Sequence, residues 1–175
     1  MRLTGSILLF LSTISLIGLI TFSSIRSIQF EQNCKGYLKH AADANTISIA
    51  EKELSTALEF IEMQKLDTGS THAFYPTPAC DLDFWYQNLQ AAQHELATFP
   101  KNADPLTRSN QLMKLRETLV DQGKKGPRVT LPPNITYYPH QTSFRVMTLL
   151  SLMACALGFV TFASSYEHSC DNSVK

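Results

Sequence analysis

The sequence predicts an all-α membrane protein: two transmembrane helices flanking a small antiparallel bundle of four helices, the first continuous with the first span. Three observations point there. Two apolar runs without a charged residue, Leu3–Ile25 and Val146–Ala163, bracket the chain. As helices they reach about 35 Å and 27 Å, against a hydrocarbon core of ~30 Å. Between them, blocks of polar sequence carry apolar residues at helical spacing, separated by capping and breaking signals. The expected organisation is a signal-anchor or transmembrane helix over 1–25, a helical bundle over 26–125 and a Pro-rich extended connector over 126–145. A second transmembrane helix over 146–163 and a short polar tail over 164–175 complete it.

Arg2 and the α-amine precede the first run. Its apolar stretch exceeds the ~7–15 residues of a signal-peptide core. Phe22-Ser23-Ser24 is a poor cleavage site, so the run reads as an uncleaved anchor. Nothing stops the helix after Ile25, because the first proline is Pro76. Phe30, Cys34, Tyr37, Leu38 and Ala41 share one face, which predicts a stalk running to about residue 44.

Asp43–Thr46 reads as a break. Ser48 with Glu51 fits a capping box, and Ile47, Ala50, Leu54, Ala57, Leu58 and Ile61 form the next stripe. Asp67-Thr68-Gly69 ends it, with Gly69 as the left-handed cap. Residues 69–81 lack periodicity and hold two prolines, hence a loop. Leu82, Trp85, Tyr86, Leu89 and Leu96 mark a helix closed by Phe99-Pro100, with Phe84 pointing away from that stripe. Asp104-Pro105 is an acidic N-cap followed by proline at the first helical position. Leu106, Met113, Leu119 and Val120 are the expected apolar face, and Gly123 the stop. From Gly126 to His140 prolines and β-formers replace the helical pattern, and Tyr137, Tyr138, His140 and Phe144 sit where an aromatic belt meets headgroups. Four helices, alternately out and back, return the chain to its second span.

Lysines and arginines number 15, equal to the aspartates and glutamates, so the net charge is zero. No basic field recruits nucleic acid. Residues 43–67 are acid-rich and residues 101–128 base-rich, which makes the two segments complementary neighbours in a four-helix ring. Lys124, Lys125 and Arg128 read as a solvated basic helix end, with contact to anionic headgroups as the alternative. Orientation signals conflict: Arg26, Lys35, Lys39, Arg128 and Arg145 flank the spans on the central side. That bias carries little weight for loops longer than ~60 residues, and Met-Arg before an apolar run is the usual form of an anchor with its N-terminus inside. The expectation is a two-pass integral membrane protein with its central domain outside the cytoplasm.

No pattern rises to a reaction. Cys80 lies eight residues from His72 but beside acids, which disfavour a thiolate nucleophile. His94-Glu95 has Thr98 where a zinc-binding second histidine would stand, and His72, Cys80 and Asp83 lack zinc spacing. Phosphate loops and cofactor fingerprints are absent, so neither cofactor nor metal is expected. The spans hold no ionisable residue, which argues against a proton or ion relay. Gly5, Gly18 and Gly158 are available for close helix approach, without a GxxxG spacing. Cys155 reads as a packing residue and Cys170 lies in the tail, whereas Cys34 and Cys80 are a possible disulfide in an oxidising compartment. The speculative binding surface comprises His72, Phe74, Tyr75, Phe84, Trp85 and Tyr86, an aromatic concentration suited to a ligand or partner.

The expected function is a non-enzymatic, membrane-anchored helical module for interaction or ligand binding. Its partners are the lipid bilayer, through both spans, and a protein partner or a second copy. A structural or accessory subunit of a larger membrane complex is the alternative. In layout the chain resembles the helical sensor domain held between two membrane helices in bacterial chemoreceptors. The short tail after Ala163 holds no output domain, so a signal would pass through a partner.

Overall fold

The computed structural model describes residues 2–72, 75–123 and 126–171. The chain forms two compact units, Met1–Ile25 with His140–Lys175, and Arg26–Pro139.

The first unit holds most of α1 (Arg2–Phe30) and α6 (Gln141–Asp171). Both helices are long and apolar enough to cross a membrane. Their hydroxyl side chains are spent locally: Thr13 donates to the Leu9 carbonyl, Thr21 to Ile17, Ser24 to Ile20 and Thr148 to Phe144. Such back-bonding lets polar residues sit in an apolar run without unsatisfied groups. The two helices touch through small residues. A Cβ at Gly158 would lie 2.9 Å from Leu9 Cγ, and one at Gly5 would lie 2.9 Å from Thr161 Oγ1. The Ser15 and Ser151 hydroxyls meet at 2.8 Å. Gly18, by contrast, has nothing within 4 Å. Phe10, Ile17, Ile20, Leu149 and Val160 are all exposed, so the outward surface of the pair is apolar.

In the second unit the helix continues as expected. The end of α1, a π-helical turn Glu31–Lys35 and α2 (Gly36–Ala42) form the stalk. Phe30, Cys34, Leu38 and Ala41 are buried along the predicted face, and Tyr37 packs at its margin. The widened turn brings the backbone close to itself: a Cβ on Gly36 would sit 3.1 Å from the Glu31 carbonyl oxygen.

Helix α3 (Ile47–Met63) buries Ala50, Leu54, Ala57, Leu58 and Ile61. Its cap is Thr46, not Ser48. Thr46 holds the extended backbone of an N-cap and accepts from the Ile49 N–H at 3.3 Å, so Ser48 already lies in the first turn. The helix also ends earlier than Gly69. Lys65 takes the left-handed conformation after Met63, and the Leu66 N–H returns to the Ile61 carbonyl. Helix α4 (Leu82–Ala97) is capped by Asp81, and α5 (Pro105–Leu119) by Asp104 with proline at its start.

The inward face of α5 differs from expectation. Leu112, Leu115 and Leu119, spaced by three and four, face the core, which leaves Leu106 and Met113 exposed. Helix α2 packs beside α3 and α5, α3 beside α4, and α4 beside α5, closing a four-helix ring.

The protein is mostly helical rather than all-α. Helix α5 stops at Leu119, and β1 (Val120–Gly123) pairs antiparallel with β2 (Gly126–Val129), Val120 opposite Val129 and Gly123 opposite Gly126. Branched valines at the open end favour pairing, and glycines at the closed end permit the turn. Gly123 is therefore a hairpin corner, not a helix stop; Lys124 and Lys125 lie outside the described residues. The connector packs against the bundle. Ile135 is buried in the core and Leu131 packs against it, because these apolar residues cover the end of the bundle that α5 and the hairpin leave open.

Candidate aromatic groove

One end of the second unit is built by the start of α4, the end of α5, the loop before α4 and the connector. Asp81 fixes this end: its carboxylate accepts the Phe84 N–H at 3.0 Å and starts α4. The loop is tied to the helix at both edges. Gly69 N–H donates to Asp83 Oδ2 at 3.0 Å, Leu82 N–H to the Gly69 carbonyl at 2.9 Å, and Ser70 bridges Asp81. The connector is held by the indole of Trp85, whose Nε1–H donates to the Thr130 carbonyl at 3.1 Å.

These constraints leave a groove of about 260 Å³. Phe84 and Trp85 form one wall, Pro78 and Ala79 of the loop a second, and Leu131, Pro132 and Pro133 a third. Asp81, Asn88, Thr118 and Thr130 supply its polar rim. Trp85 is nearly buried, but Phe84 is 63% exposed. A phenyl ring so placed beside an apolar cleft offers stacking area at little ordering cost, the arrangement that anchors ligands and partner side chains.

Of the six residues in the predicted surface, the structure brings only Phe84 and Trp85 together. Tyr86 turns to α3, where its hydroxyl bonds the Glu62 carboxylate and accepts from Gln90 Nε2 at 2.8 Å. His72 lies half-buried, with Nε2 3.3 Å from the Asn134 amide nitrogen. Tyr75 is 81% exposed and does not line this groove. Phe74 lies outside the described residues. Leu131, Pro132 and Pro133 are not in the predicted surface; the signal for them is the apolar-proline composition of the extended connector.

Cys34 and Cys80 are free thiols, not a bridge. Cys34 is enclosed in the main core, while Cys80 is buried under the loop outside it, so each thiol has its own packing environment. The Thr77 hydroxyl, 3.1 Å from Cys80 Sγ, holds that thiol below its ordinary pKa, and the Thr71 hydroxyl adds to the effect. Thr71 is itself fully buried: its backbone N–H donates to the Cys80 carbonyl at 3.0 Å, while its hydroxyl makes no regular hydrogen bond. Among the described residues no three His, Cys, Asp or Glu side chains converge to hold a metal ion.

No protein-family model matches the chain, nor does any curated protein or solved structure.

Proposed function

We propose that this protein is a two-pass membrane protein whose central helical domain, outside the cytoplasm, binds a protein partner through the Phe84–Trp85 groove. The observation that supports the reading most directly is Phe84: a large aromatic, 63% exposed, over a cleft whose other walls are apolar and proline-rich. Trp85 spends its only donor on the connector, so it serves the groove as a rigid wall rather than a hydrogen-bonding anchor. The ligand is then recognised by shape and apolar contact, with Asp81 and Asn88 at the rim to orient it.

The same connector that walls the groove is clasped to the start of the stalk. Arg26 donates to the Tyr138 carbonyl at 3.4 Å, at the two points where the chain enters and leaves the domain. A ligand wedged against Leu131 and Pro132 would bear on that clasp, which suits a module that reports binding to its membrane segments.

A photo-crosslinking residue at position 84, compared with one at the exposed Gln87, tests the groove in native membranes. The reading expects a discrete adduct from 84 and none from 87; equal labelling from both positions removes the groove from consideration. A fluorescent protein fused after Lys175, which matures only in the cytoplasm, tests orientation: fluorescence supports an outside domain.

The accessory-subunit reading draws on a different observation. Gly18 has nothing within 4 Å on a helix whose neighbours Ile14 and Ile17 are exposed, leaving room for a further helix to approach. It predicts a stable complex in mild detergent that survives loss of Phe84.

A further inference from the structure

At the opposite end of the bundle two adjoining cavities, of about 470 and 510 Å³, open around the turn between α2 and α3 and the start of α5. They share three residues: Asn45, Arg108 and Leu112. From these we infer a binding site for a small organic monocarboxylate with an apolar body, its carboxylate held by Arg108.

Charge points to the sign of the ligand. The acids lining the two cavities are Asp43 and Glu51, and the bases are Lys101, Arg108 and Arg116. Asp43 is matched by Arg116 at 3.7 Å. Glu51 and Lys101 both line the larger cavity and offset one another in formal charge, without an ion pair among the described residues. Asp104 keeps its charge but lines neither cavity; its carboxylate accepts from the Thr107 N–H and hydroxyl. Among the lining side chains the bases therefore exceed the acids by one, and Arg108, which makes no ion pair among the described residues, stands in the shared wall.

Its geometry suits a carboxylate. Arg108 spends Nε–H on the Ala103 carbonyl at 2.9 Å, which steadies the guanidinium and leaves the terminal nitrogens for a ligand. Paired terminal N–H groups meet a carboxylate through two parallel charge-assisted bonds. Nearby, the Asn45 amide and the Ser48 and Ser109 hydroxyls line the cavities and have no hydrogen-bond partner among the described residues. Ile47, Leu96, Phe99 and Leu112 form an apolar part of the larger cavity, with Thr46 also in its wall. A cation above such a floor favours a carboxylate carrying a short hydrocarbon over a bare inorganic anion.

The test is calorimetric titration of the full chain in nanodiscs, with empty nanodiscs as background. Hexanoate is the probe, with hexanamide and inorganic phosphate as comparators. Saturable binding of hexanoate is expected, with hexanamide and phosphate each about tenfold weaker or worse. R108Q should lose at least about tenfold in affinity and R108K should fall between. N45D, which adds a negative charge to the shared wall and leaves Arg108 in place, should weaken binding without touching the guanidinium. F84A, at the far end, should bind hexanoate normally. No saturable hexanoate binding, equal binding of hexanamide or phosphate, or undiminished binding by both R108Q and N45D would overturn the inference. Loss of hexanoate binding in F84A would place the probe in the groove instead, and so overturn it too.

Discussion

The Ser15 and Ser151 hydroxyls lie 2.8 Å apart, joining α1 to α6 in a unit whose outward surface is apolar. A hydroxyl pair in such surroundings has few alternative partners, yet measured couplings of this kind average only about 0.6 kcal/mol. The double-mutant cycle S15A, S151A should return a coupling of about that size in SDS-unfolding of the full chain. Gly158 is worth more. Leu9 Cγ and its backbone nitrogen, 2.9 and 3.1 Å from an added Cβ, block any larger residue, so G158L should separate the helices while G18L leaves them paired. Equal effects of the two leucines would refute the packing.

Gly69 and Tyr138 make a second close pair. Gly69 has φ +93°, and an added Cβ would collide with the Tyr138 hydroxyl. G69A should therefore carry two costs, backbone strain of about 1 kcal/mol or more and the clash. Y138F removes only the clash. The double variant should recover part of the loss in a urea titration followed by the emission of Trp85, the chain's single tryptophan. Full recovery would mean that the backbone conformation costs nothing; no recovery would mean that Tyr138 is not the obstacle.

How much of this was legible beforehand depends on where the restraint comes from. The stalk, the stripe of α3 and the Asp104-Pro105 start rest on local periodicity and capping, and the structure has them in place. The cap of α3 falls at Thr46, inside the segment read as a break, because Thr46 and not Ser48 has the extended backbone. The hairpin was hidden because Val120 and Gly123 satisfy a helix pattern as well as a strand pattern until Val129 is available to pair. The groove was half visible: Phe84 and Trp85 are conspicuous in sequence, but the wall of Leu131, Pro132 and Pro133 arrives through a contact distant in sequence, fixed by the Trp85–Thr130 bond. Arg108 gave no local signal, since its importance lies in what the neighbouring charges leave unmatched.

Tyr86 makes the domain sensitive to alkali. Burial first, and then the Glu62 carboxylate that its hydroxyl bonds, push its pKa up to about 12. A folded-state pKa above the ordinary value of about 10 means the fold prefers the neutral phenol. That stability is fully present below about pH 10 and lost as pH rises through about 12. Wild type should lose urea resistance across this window more steeply than Y86F, which has no proton to release there. E62Q removes the carboxylate's charge and should leave a smaller loss that is complete at lower pH. Identical alkaline profiles for wild type and Y86F would assign the effect to other groups.

The two central thiols should part company under alkylation. Cys34 is fully enclosed by the core, so native protein at about pH 8 should leave it unmodified until the bundle unfolds. Cys80 is also buried, but only beneath the loop that Thr71 and Thr77 belong to, and opening that loop exposes it without disturbing the helices. The Thr77 hydroxyl lowers its pKa, which raises the thiolate fraction available at a given pH. Peptide mass spectrometry after timed iodoacetamide treatment should find Cys80 labelled well before Cys34. T77V removes the hydroxyl that does most to lower the pKa, so the pH–rate profile of Cys80 should move to higher pH and its rate at fixed pH should fall. A faster rate with an unmoved profile would show that the valine loosened the loop and that the hydroxyl contributes nothing to the thiolate. Equal rates for Cys34 and Cys80 in wild type would mean that the two thiols open with one cooperative unit, and that the loop has no independent motion.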